Sequence, residues 1–224
     1  MKDFEYYVNN LNVLYEDNHI IVIEKYKDVL SQKDSTCDFS INEIVKEYLK
    51  RKYDKPGNVY LGLVHRLDRR VGGVMVLAKT SKAASRLSVS IMNEEFDKTY
   101  LAYASGIIKK DGRIDIKISK KENLAILDDK GKDSRLEYDI LNNDGLNTYV
   151  KVKLETGRYN QIRLSFSSIG HPLVNDYKYG AKKEGDEIGL WCYSIRFLHP
   201  TTKEYLEFKL LPSGDIWKNM KLEK

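Results

Sequence analysis

The chain has 224 residues and a formal net charge of +5, with 42% hydrophobic and 32% charged residues. This hydrophobic content supports one domain or two closely packed lobes and excludes a mostly disordered chain. The basic charge is compatible with a nucleic-acid partner and equally with an enzyme of small substrates, because Lys and Arg alternate with acids rather than forming a tail. The sequence contains no run of the roughly 18 apolar residues that a membrane span needs and no apolar signal core, so we expect a cytoplasmic protein.

The sequence also argues against a disulfide framework and a zinc site. Its two cysteines, Cys37 and Cys192, are far apart and lack the Cys-x-x-Cys spacing. We therefore expect two reduced thiols. There is no cluster of metal-ligand side chains and no phosphate-binding glycine loop in the sequence, so we expect neither a metal nor a cofactor.

The first part of the chain predicts a hairpin and then a helix. Two short β-branched runs, residues 13–15 and 20–23, flank the polar turn 16–19. Further on, Ser40 and Glu43 have the spacing of a capping box, and apolar residues recur at helical spacing from position 41 to 49. We expect this helix to end near Pro56-Gly57.

The rest of the chain is predicted to contain mainly strands, together with two helical segments. A second helix is expected from Thr80 or Ser81, with Ala84, Leu87 and Ile91 facing inward. Strands are predicted over residues 98–103, 114–118, 136–140, 150–154, 190–198 and 205–210, and one further helical face is predicted at Ile162, Phe166 and Ile169.

Strands thus outnumber helices and do not alternate regularly with them. This order predicts an α+β fold with a mixed, largely antiparallel central sheet and flanking helices, rather than a doubly wound fold. Because the sequence has no internal repeat and no Pro/Gly/Ser-rich linker, we expect residues 1–224 to form a single domain.

One aspartate has an unusual setting, between arginines and just before a glycine pair. The segment reads His65-Arg66-Leu67-Asp68-Arg69-Arg70-Val71-Gly72-Gly73 and leads into an apolar run that ends at Ala78-Lys79. Neighbouring guanidinium groups favour the ionised form of a carboxylate, which suits Asp68 to act as a nucleophile or base. Considered alone, such a segment is more often a charged turn with a structural salt bridge than a catalytic site.

Two later segments carry further candidates. Tyr100 lies in Lys98-Thr99-Tyr100-Leu101-Ala102, on one face of a predicted strand. Residues 155–163 read Glu-Thr-Gly-Arg-Tyr-Asn-Gln-Ile-Arg, in which Gly157 permits a tight turn into a helix bearing Arg163. In isolation, an aromatic core residue and a solvated arginine are the ordinary interpretations.

Together and in this order, the three segments resemble the motifs of the RluA-type pseudouridine synthases, which isomerise uridines in RNA. The family forms are His-Arg-Leu-Asp with a later glycine and Ala-Lys, Lys-x-Tyr-x-Ala, and Thr-Gly-Arg-x-His-Gln-Ile-Arg. The resemblance spans about Val13 to Pro212 and implies the pseudouridine synthase catalytic fold. Longer members carry an RNA-binding domain before the catalytic one, and we expect that domain to be absent from this chain.

The resemblance implies a role for each matched residue. Asp68 would be the catalytic carboxylate, Tyr100 would stack on the target base, and Arg163 would pair with Asp68. Arg66 would fill the space left by a flipped-out nucleotide. The remaining implied substrate-binding residues are His65, Arg158, Asn160 and Gln161.

The implied reaction needs no cofactor or metal. The implied partner is a stem-loop of ribosomal or transfer RNA, recognised by shape and by single-stranded loops, with no membrane involved. A monomer is expected, because the chain has no obvious assembly helix.

The chain departs from the family pattern at four points. Residues 71–73 replace Thr-Ser-Gly, Asn160 replaces a histidine, Asn175 replaces a glycine, and Tyr26 replaces a proline. Asn160 cannot become cationic, residues 71–73 are expected to form a tight turn, and Tyr26 is expected to soften its loop. We interpret the nearby His171 and Asp176 as structural.

Two alternatives remain open from the sequence. The first is an RNA-binding protein of the same fold with impaired catalysis, favoured by these departures but opposed by the presence of all three motif residues. The second is a glycosidase or nucleoside hydrolase, which generally needs a second carboxylate that no matching motif supplies.

Overall fold

A computed structural model of the chain describes residues 3–36, 38–182 and 184–222. Four α-helices and eleven strands occur in these ranges. In chain order they are α1 (Phe4–Asn9), β1 (Val13–Glu16), β2 (Ile20–Lys25), α2 (Ile41–Lys52), β3 (Gly62–Leu63), β4 (Gly72–Ala78), α3 (Ser81–Met92), β5 (Phe96–Ser105), β6 (Gly112–Lys121), β7 (Leu124–Leu127), β8 (Lys132–Asn143), β9 (Asn147–Leu154), α4 (Gln161–Ser168), β10 (Leu190–Leu198) and β11 (Tyr205–Lys209).

The chain divides into two compact units at Phe96/Asp97, Tyr193/Ser194 and Leu210/Leu211. The first unit contains the N-terminal part up to Phe96 and the segment Ser194–Leu210, which holds β10 from Ser194 onward and β11. The second unit contains the part from Asp97 to Tyr193 and the C-terminal segment that begins at Leu211.

In the first unit, β2 is a central strand. It pairs antiparallel with β1 on one side and with β4 on the other, where Ile20 lies opposite Ala78 and Lys25 opposite Gly73. The strands β2 and β4 are almost wholly buried, and their apolar side chains pack with those of α1 and α2. This core includes Ile21, Ile23, Ile41, Ile44, Val45, Leu49, Met75 and Leu77.

The structure confirms the predicted hairpin and the start of the first predicted helix. The hydroxyl of Ser40 accepts a hydrogen bond from the Glu43 N–H, and the Glu43 carboxylate accepts from the Ser40 N–H. The helix ends at Lys52, earlier than the predicted Pro56-Gly57, because Asp54 has a positive φ of 46° that the helix cannot continue through.

The second predicted helix is α3, with the Thr80 hydroxyl capping the Ala83 N–H. Leu87 is buried as predicted, together with Ala83 and Ser90, whereas the predicted Ala84 and Ile91 are half-buried. Ala84 is half-buried because it packs against the backbone of Gly62, where an added Cβ would lie 2.8 Å from the Ala84 Cβ.

In the second unit, five strands form an antiparallel sheet in the order β5-β9-β8-β6-β7. The predicted alternation is confirmed, since Ile114, Ile118, Leu136, Val150 and Val152 are buried. The helix α4 contributes Leu164 to a small core with residues of β6 and β7. Ile162 and Phe166 are buried as predicted, whereas Ile169 is 39% exposed because the helix ends at Ser168.

Sequence patterns missed α1, β3 and β7, which are too short for their periodicity to stand out. The α+β prediction is confirmed, and all strand pairings given above are antiparallel. Among the described helices, none has both the length and the apolarity required to span a bilayer.

We predict that Gly73→Ala destabilises the protein. Gly73 enters β4 with φ = +128°, a conformation that alanine adopts only with strain of about 1–3 kcal/mol. Chemical denaturation should show a lower free energy of unfolding by that amount. Gly57→Ala is the control, since a Cβ at Gly57 meets nothing within 4 Å, and it should leave stability within about 0.5 kcal/mol of the wild type. Equal stability of both variants would contradict the strain at Gly73.

Candidate active site

Asp68 lies in the loop between β3 and β4, and this loop is fixed by its own turn and by a serine. The Asp68 carboxylate accepts a hydrogen bond from the Arg70 N–H at 3.0 Å, and its carbonyl accepts from the Val71 N–H at 3.0 Å. The Ser31 hydroxyl donates to the Leu67 carbonyl at 2.7 Å and accepts from the Leu67 N–H at 3.1 Å. The half-buried carboxylate is therefore held in a defined orientation.

A buried lysine fixes the other side of the same loop. Lys25, at the end of β2, has no exposed surface, and its ammonium donates to the carbonyls of Tyr26, Arg69 and Val71 at 3.0, 3.1 and 2.8 Å. These three bonds use all three donors of the ammonium. Burial lowers the pKa of Lys25 to about 7, and the negative charge of Asp68 opposes that shift.

The histidine and arginines around Asp68 have separate environments. His65 is buried; its Nε2 accepts from the Val76 N–H at 3.1 Å, and its ring packs at 5.4 Å from that of Phe96. Arg66 is exposed, and its guanidinium makes no hydrogen bond or ion pair within the described part of the chain. Arg69 instead forms an ion pair with Asp38 at 2.7 Å.

Two of the departures from the family pattern have defined contacts in the structure. A tight turn closes at residues 68–71 rather than 71–73, since the Val71 N–H donates to the Asp68 carbonyl, and Gly72 and Gly73 open β4 with Gly73 at a φ of +128°. The Val71 carbonyl accepts from Lys25, the Tyr26 hydroxyl donates to the Asn10 carbonyl, and the Tyr26 ring packs on Tyr7.

In the second unit, Arg163 forms a buried ion pair. Its Nε and one terminal nitrogen donate to the two carboxylate oxygens of Asp176 at 2.7 and 2.6 Å, and both side chains are buried. The guanidinium also lies over the ring of Tyr179, 5.0 Å from its centroid. Arg163 is thus rigidly held, and Asp176 has the structural contact expected of it.

The turn before Arg163 is organised by Gln161. Its amide oxygen accepts from the Thr156 hydroxyl at 3.0 Å and the Arg158 N–H at 2.9 Å, while its Nε2 donates to the Arg135 carbonyl at 2.9 Å. The side chain of Arg158 donates to the Asp133 carbonyl at 2.9 Å.

Asn160 takes the strained position of this turn. Its φ is +49°, which asparagine tolerates better than most residues, and its amide donates to the Tyr179 hydroxyl at 3.0 Å. Gly157, the predicted turn residue, has no positive φ. Asn175 also has a positive φ of 61°. The position therefore requires a residue that tolerates a positive φ, which glycine and asparagine both do.

Tyr100 is buried on β5, in contact with Cys192. Burial and the Cys192 thiol raise the pKa of Tyr100 well above its usual value, and burial raises the pKa of Cys192 to about 12. Burial also lowers the pKa of Lys98, two positions before Tyr100 on the same strand. Tyr100 is therefore a neutral phenol at physiological pH. Cys192 is a free thiol, and Cys37 lies outside the described residues.

The structure thus brings His65, Arg66 and Asp68 together in the first unit, and Arg158, Asn160, Gln161 and Arg163 together in the second. Sequence reasoning missed the contribution of Lys25 and Ser31. The signals for Lys25 were its place at the end of an apolar run and the match of Lys25-Tyr26 to a Lys-Pro pair of the family pattern, and Ser31 had none. Across residues 3–36, 38–182 and 184–222, no group of three His, Cys, Asp or Glu side chains is placed to hold a metal ion.

We predict that Lys25→Met lowers the free energy of unfolding by about 2–4 kcal/mol, because three carbonyls lose a charged donor at a buried position. Thermal and denaturant unfolding measure this effect. Lys82→Met is the matched control, since Lys82 is an exposed lysine on α3, and its stability should be unchanged. A Lys25→Met protein as stable as the control would show that these bonds contribute little.

Comparison with known proteins identifies the family. Residues 19–168 match the family model described as RNA pseudouridylate synthase. The chain is 33% identical over 217 residues to the ribosomal large subunit pseudouridine synthase D of Haemophilus influenzae, covering 88% of this chain and 66% of that protein. It is 35% identical over 177 residues to the protein of the same name from Yersinia pestis, covering 77% of this chain and 53% of that protein.

Solved structures share the fold. Human RNA pseudouridylate synthase domain containing 4 superposes with a TM-score of 0.76 at 18% identity, covering 93% of this chain and 92% of that one. Human RNA pseudouridylate synthase domain containing 1 gives a TM-score of 0.73 at 24% identity, covering 92% and 84%. The matched stretch 19–168 includes Asp68, Tyr100 and Arg163, and the chain belongs to the RNA pseudouridylate synthase family.

Proposed function

We propose that this protein converts specific uridines of structured RNA into pseudouridine. The observation that carries the proposal is the family match over residues 19–168, which contains Asp68, Tyr100 and Arg163 in the order of the family motifs. The proposed substrate is ribosomal RNA, because the relatives are named ribosomal large subunit pseudouridine synthases, and transfer RNA is the second candidate.

Asp68 is the proposed catalytic carboxylate. During isomerisation the bond from uracil N1 to the ribose breaks, the ring turns, a bond from C5 to the ribose forms, and the proton of C5 is exchanged for one on N1. A carboxylate at the anomeric carbon can attack it or remove a neighbouring ribose proton as the first bond breaks. Such a group must be oriented within a fraction of an ångström, and the contacts from Ser31 and Lys25 to the Asp68 loop support that role.

Access to the target requires base flipping, which costs a few kcal/mol of lost stacking. Arg66 is the proposed residue that fills the vacated space. Its support is that the guanidinium is exposed and makes no ion pair with the described residues, unlike Arg69, which is bound to Asp38. His65 supports the loop from within rather than reaching outward.

Tyr100 is proposed to stack on the uracil, since stacking of a base on an aromatic ring contributes about 1–3 kcal/mol. With its raised pKa, the phenol does not serve as an ionised base. Arg163 is proposed to be the charge partner of Asp68. Its Nε and one terminal nitrogen donate to Asp176, which fixes the guanidinium plane.

Arg158, Asn160 and Gln161 are proposed to contribute to RNA binding through the turn they build. Their amide and guanidinium groups contact the protein backbone or Tyr179 and thereby fix the shape of this turn. The RNA is proposed to bind to the turn in that shape.

The second candidate function is RNA binding without catalysis, favoured by Asn160 at a position where the family motif has histidine. Mapping of pseudouridine in RNA from cells with and without the gene separates the two. A pseudouridine that disappears on deletion and returns with the wild-type gene supports the enzyme, and an unchanged map supports the binding protein.

We predict that Asp68→Asn abolishes pseudouridine formation, with a loss of at least about 1,000-fold, because the amide neither attacks nor accepts a proton. RNA affinity should change by less than about threefold, since phosphate contacts dominate binding. The measurements are tritium release from 5-tritiated RNA and filter binding. Asp54→Asn is the control, since Asp54 is exposed and asparagine adopts its positive φ equally well. Full activity of Asp68→Asn would exclude the proposed mechanism.

Arg163 requires a test that separates catalysis from stability. Arg163→Met leaves the buried Asp176 carboxylate without its bidentate partner, so we predict a loss of roughly 3–5 kcal/mol in the free energy of unfolding. The double variant Arg163→Met, Asp176→Asn should regain much of this stability. Turnover should remain reduced by about 100-fold or more in the double variant, because it still lacks the charge that is proposed to pair with Asp68. Recovery of turnover together with stability would assign Arg163 a purely structural role.

A further inference from the structure

Beside the Asp68 loop, the first unit has a polar pocket with a volume of about 440 Å³. Its wall includes Gln32, Asn42, Leu61, Leu63, Val64 and Arg66. We call this the flanking pocket. Two residues of the family motif, His65 and Arg66, form part of its border, and the other five lining residues lie outside the motifs.

We propose that the flanking pocket binds the base of a nucleotide adjacent to the target uridine, and that Gln32 and Asn42 set the preference for that base. The inference rests on the proposed function and deepens it, because it names the part of the RNA that determines specificity. The two side chains proposed to read the base, Gln32 and Asn42, take part in no proposed catalytic step.

The location of the pocket supports an RNA nucleotide as its occupant. Arg66 belongs both to the pocket and to the loop that carries Asp68, and the two residues are only two positions apart. Two residues of extended backbone span at most about 7 Å. A nucleotide adjoining a uridine that reaches Asp68 would therefore lie within range of the pocket.

The chemistry of the pocket fits a nucleobase. Leu61, Leu63 and Val64 provide apolar contact for the faces of a ring, and the guanidinium plane of Arg66 is a surface on which unstacked bases pack. The volume is in the range of about 300–1,000 Å³ that is usual for pockets holding small ligands.

The side-chain amides of Gln32 and Asn42 supply the hydrogen-bonding groups for the edge of the base. Asn42, in the first turn of α2, donates through Nδ2 to the Leu61 carbonyl at 3.4 Å, which orients its amide group. Within the described residues, the Asn42 oxygen accepts no hydrogen bond and the Gln32 amide makes none. Each amide offers both a donor and an acceptor, which is the pairing that reads the Watson–Crick edge of an unstacked base.

The test uses stem-loop RNAs that carry each of the four bases at the positions on either side of the modified uridine. We expect the wild-type protein to prefer one base at one of these positions by about tenfold or more in kcat/KM, the scale of one specific base contact. In Gln32→Ala and Asn42→Ala this preference should fall below about threefold, through a higher KM for the best RNA and with kcat at saturating RNA retained.

Asn42→Asp provides a second readout, the identity of the preferred base. This identity would stay the same if Asn42 had only a packing role. It keeps the size of the side chain and replaces the amide donor with an acceptor, so the preferred base should change rather than disappear. Asn18→Ala, an exposed asparagine in the turn between β1 and β2, is the matched control and should keep the wild-type preference. Thermal unfolding confirms that every variant is folded at the assay temperature.

The outcomes distinguish this inference from the proposed function. If the wild-type protein modifies none of these RNAs and the cellular map is unchanged on deletion, the proposed function fails. If the wild type is active and Asp68→Asn inactive, but the Gln32 and Asn42 variants keep the wild-type base preference and KM, the flanking pocket has another occupant and this inference alone fails.

Discussion

The geometry around Asp68 depends on one buried ammonium group. A charged amine without contact to water is costly unless all of its donors are used, and Lys25 uses all three on backbone carbonyls. Two of those carbonyls, from Arg69 and Val71, lie one and three positions after Asp68. The interaction therefore links the end of β2 to the turn that follows the carboxylate, and Gly72 and Gly73 connect that turn to the rest of β4. A loop of this kind would otherwise be among the more mobile parts of a protein.

The second unit uses the same principle with an ion pair. Arg163 and Asp176 are both buried, and their two parallel hydrogen bonds fix the guanidinium plane together with the ring of Tyr179. In both units, a charged group is buried and bonded to hydrogen-bond partners, so its position is fixed at the cost of its desolvation. Such an arrangement is common where a side chain must be held for chemistry.

Much of the fold could be predicted from the sequence, because the period of the apolar residues is strong where an element has one buried face. The hairpin, the capping box at Ser40 and the alternating strands of the second unit follow from that rule. On α3, only Leu87 of the predicted stripe is fully buried, because the burial of its neighbours depends on tertiary contacts such as that of Ala84 with Gly62. The motif residues were found by resemblance, whereas Lys25 and the flanking pocket depend on distant segments meeting in space. Gln32, Asn42 and Leu61 have no sequence pattern in common, so no local rule could have grouped them.

The contact between Tyr100 and Cys192 also bears on how the protein responds to oxidants. Thiols are oxidised through their thiolate form, and a cysteine that is buried with its pKa raised to about 12 has almost none of it at neutral pH. Cys192 therefore behaves as a small apolar neighbour of the tyrosine ring. The surface on which the uracil is proposed to stack is protected by its own packing from peroxide, and this part of the molecule should keep its shape without a reducing agent.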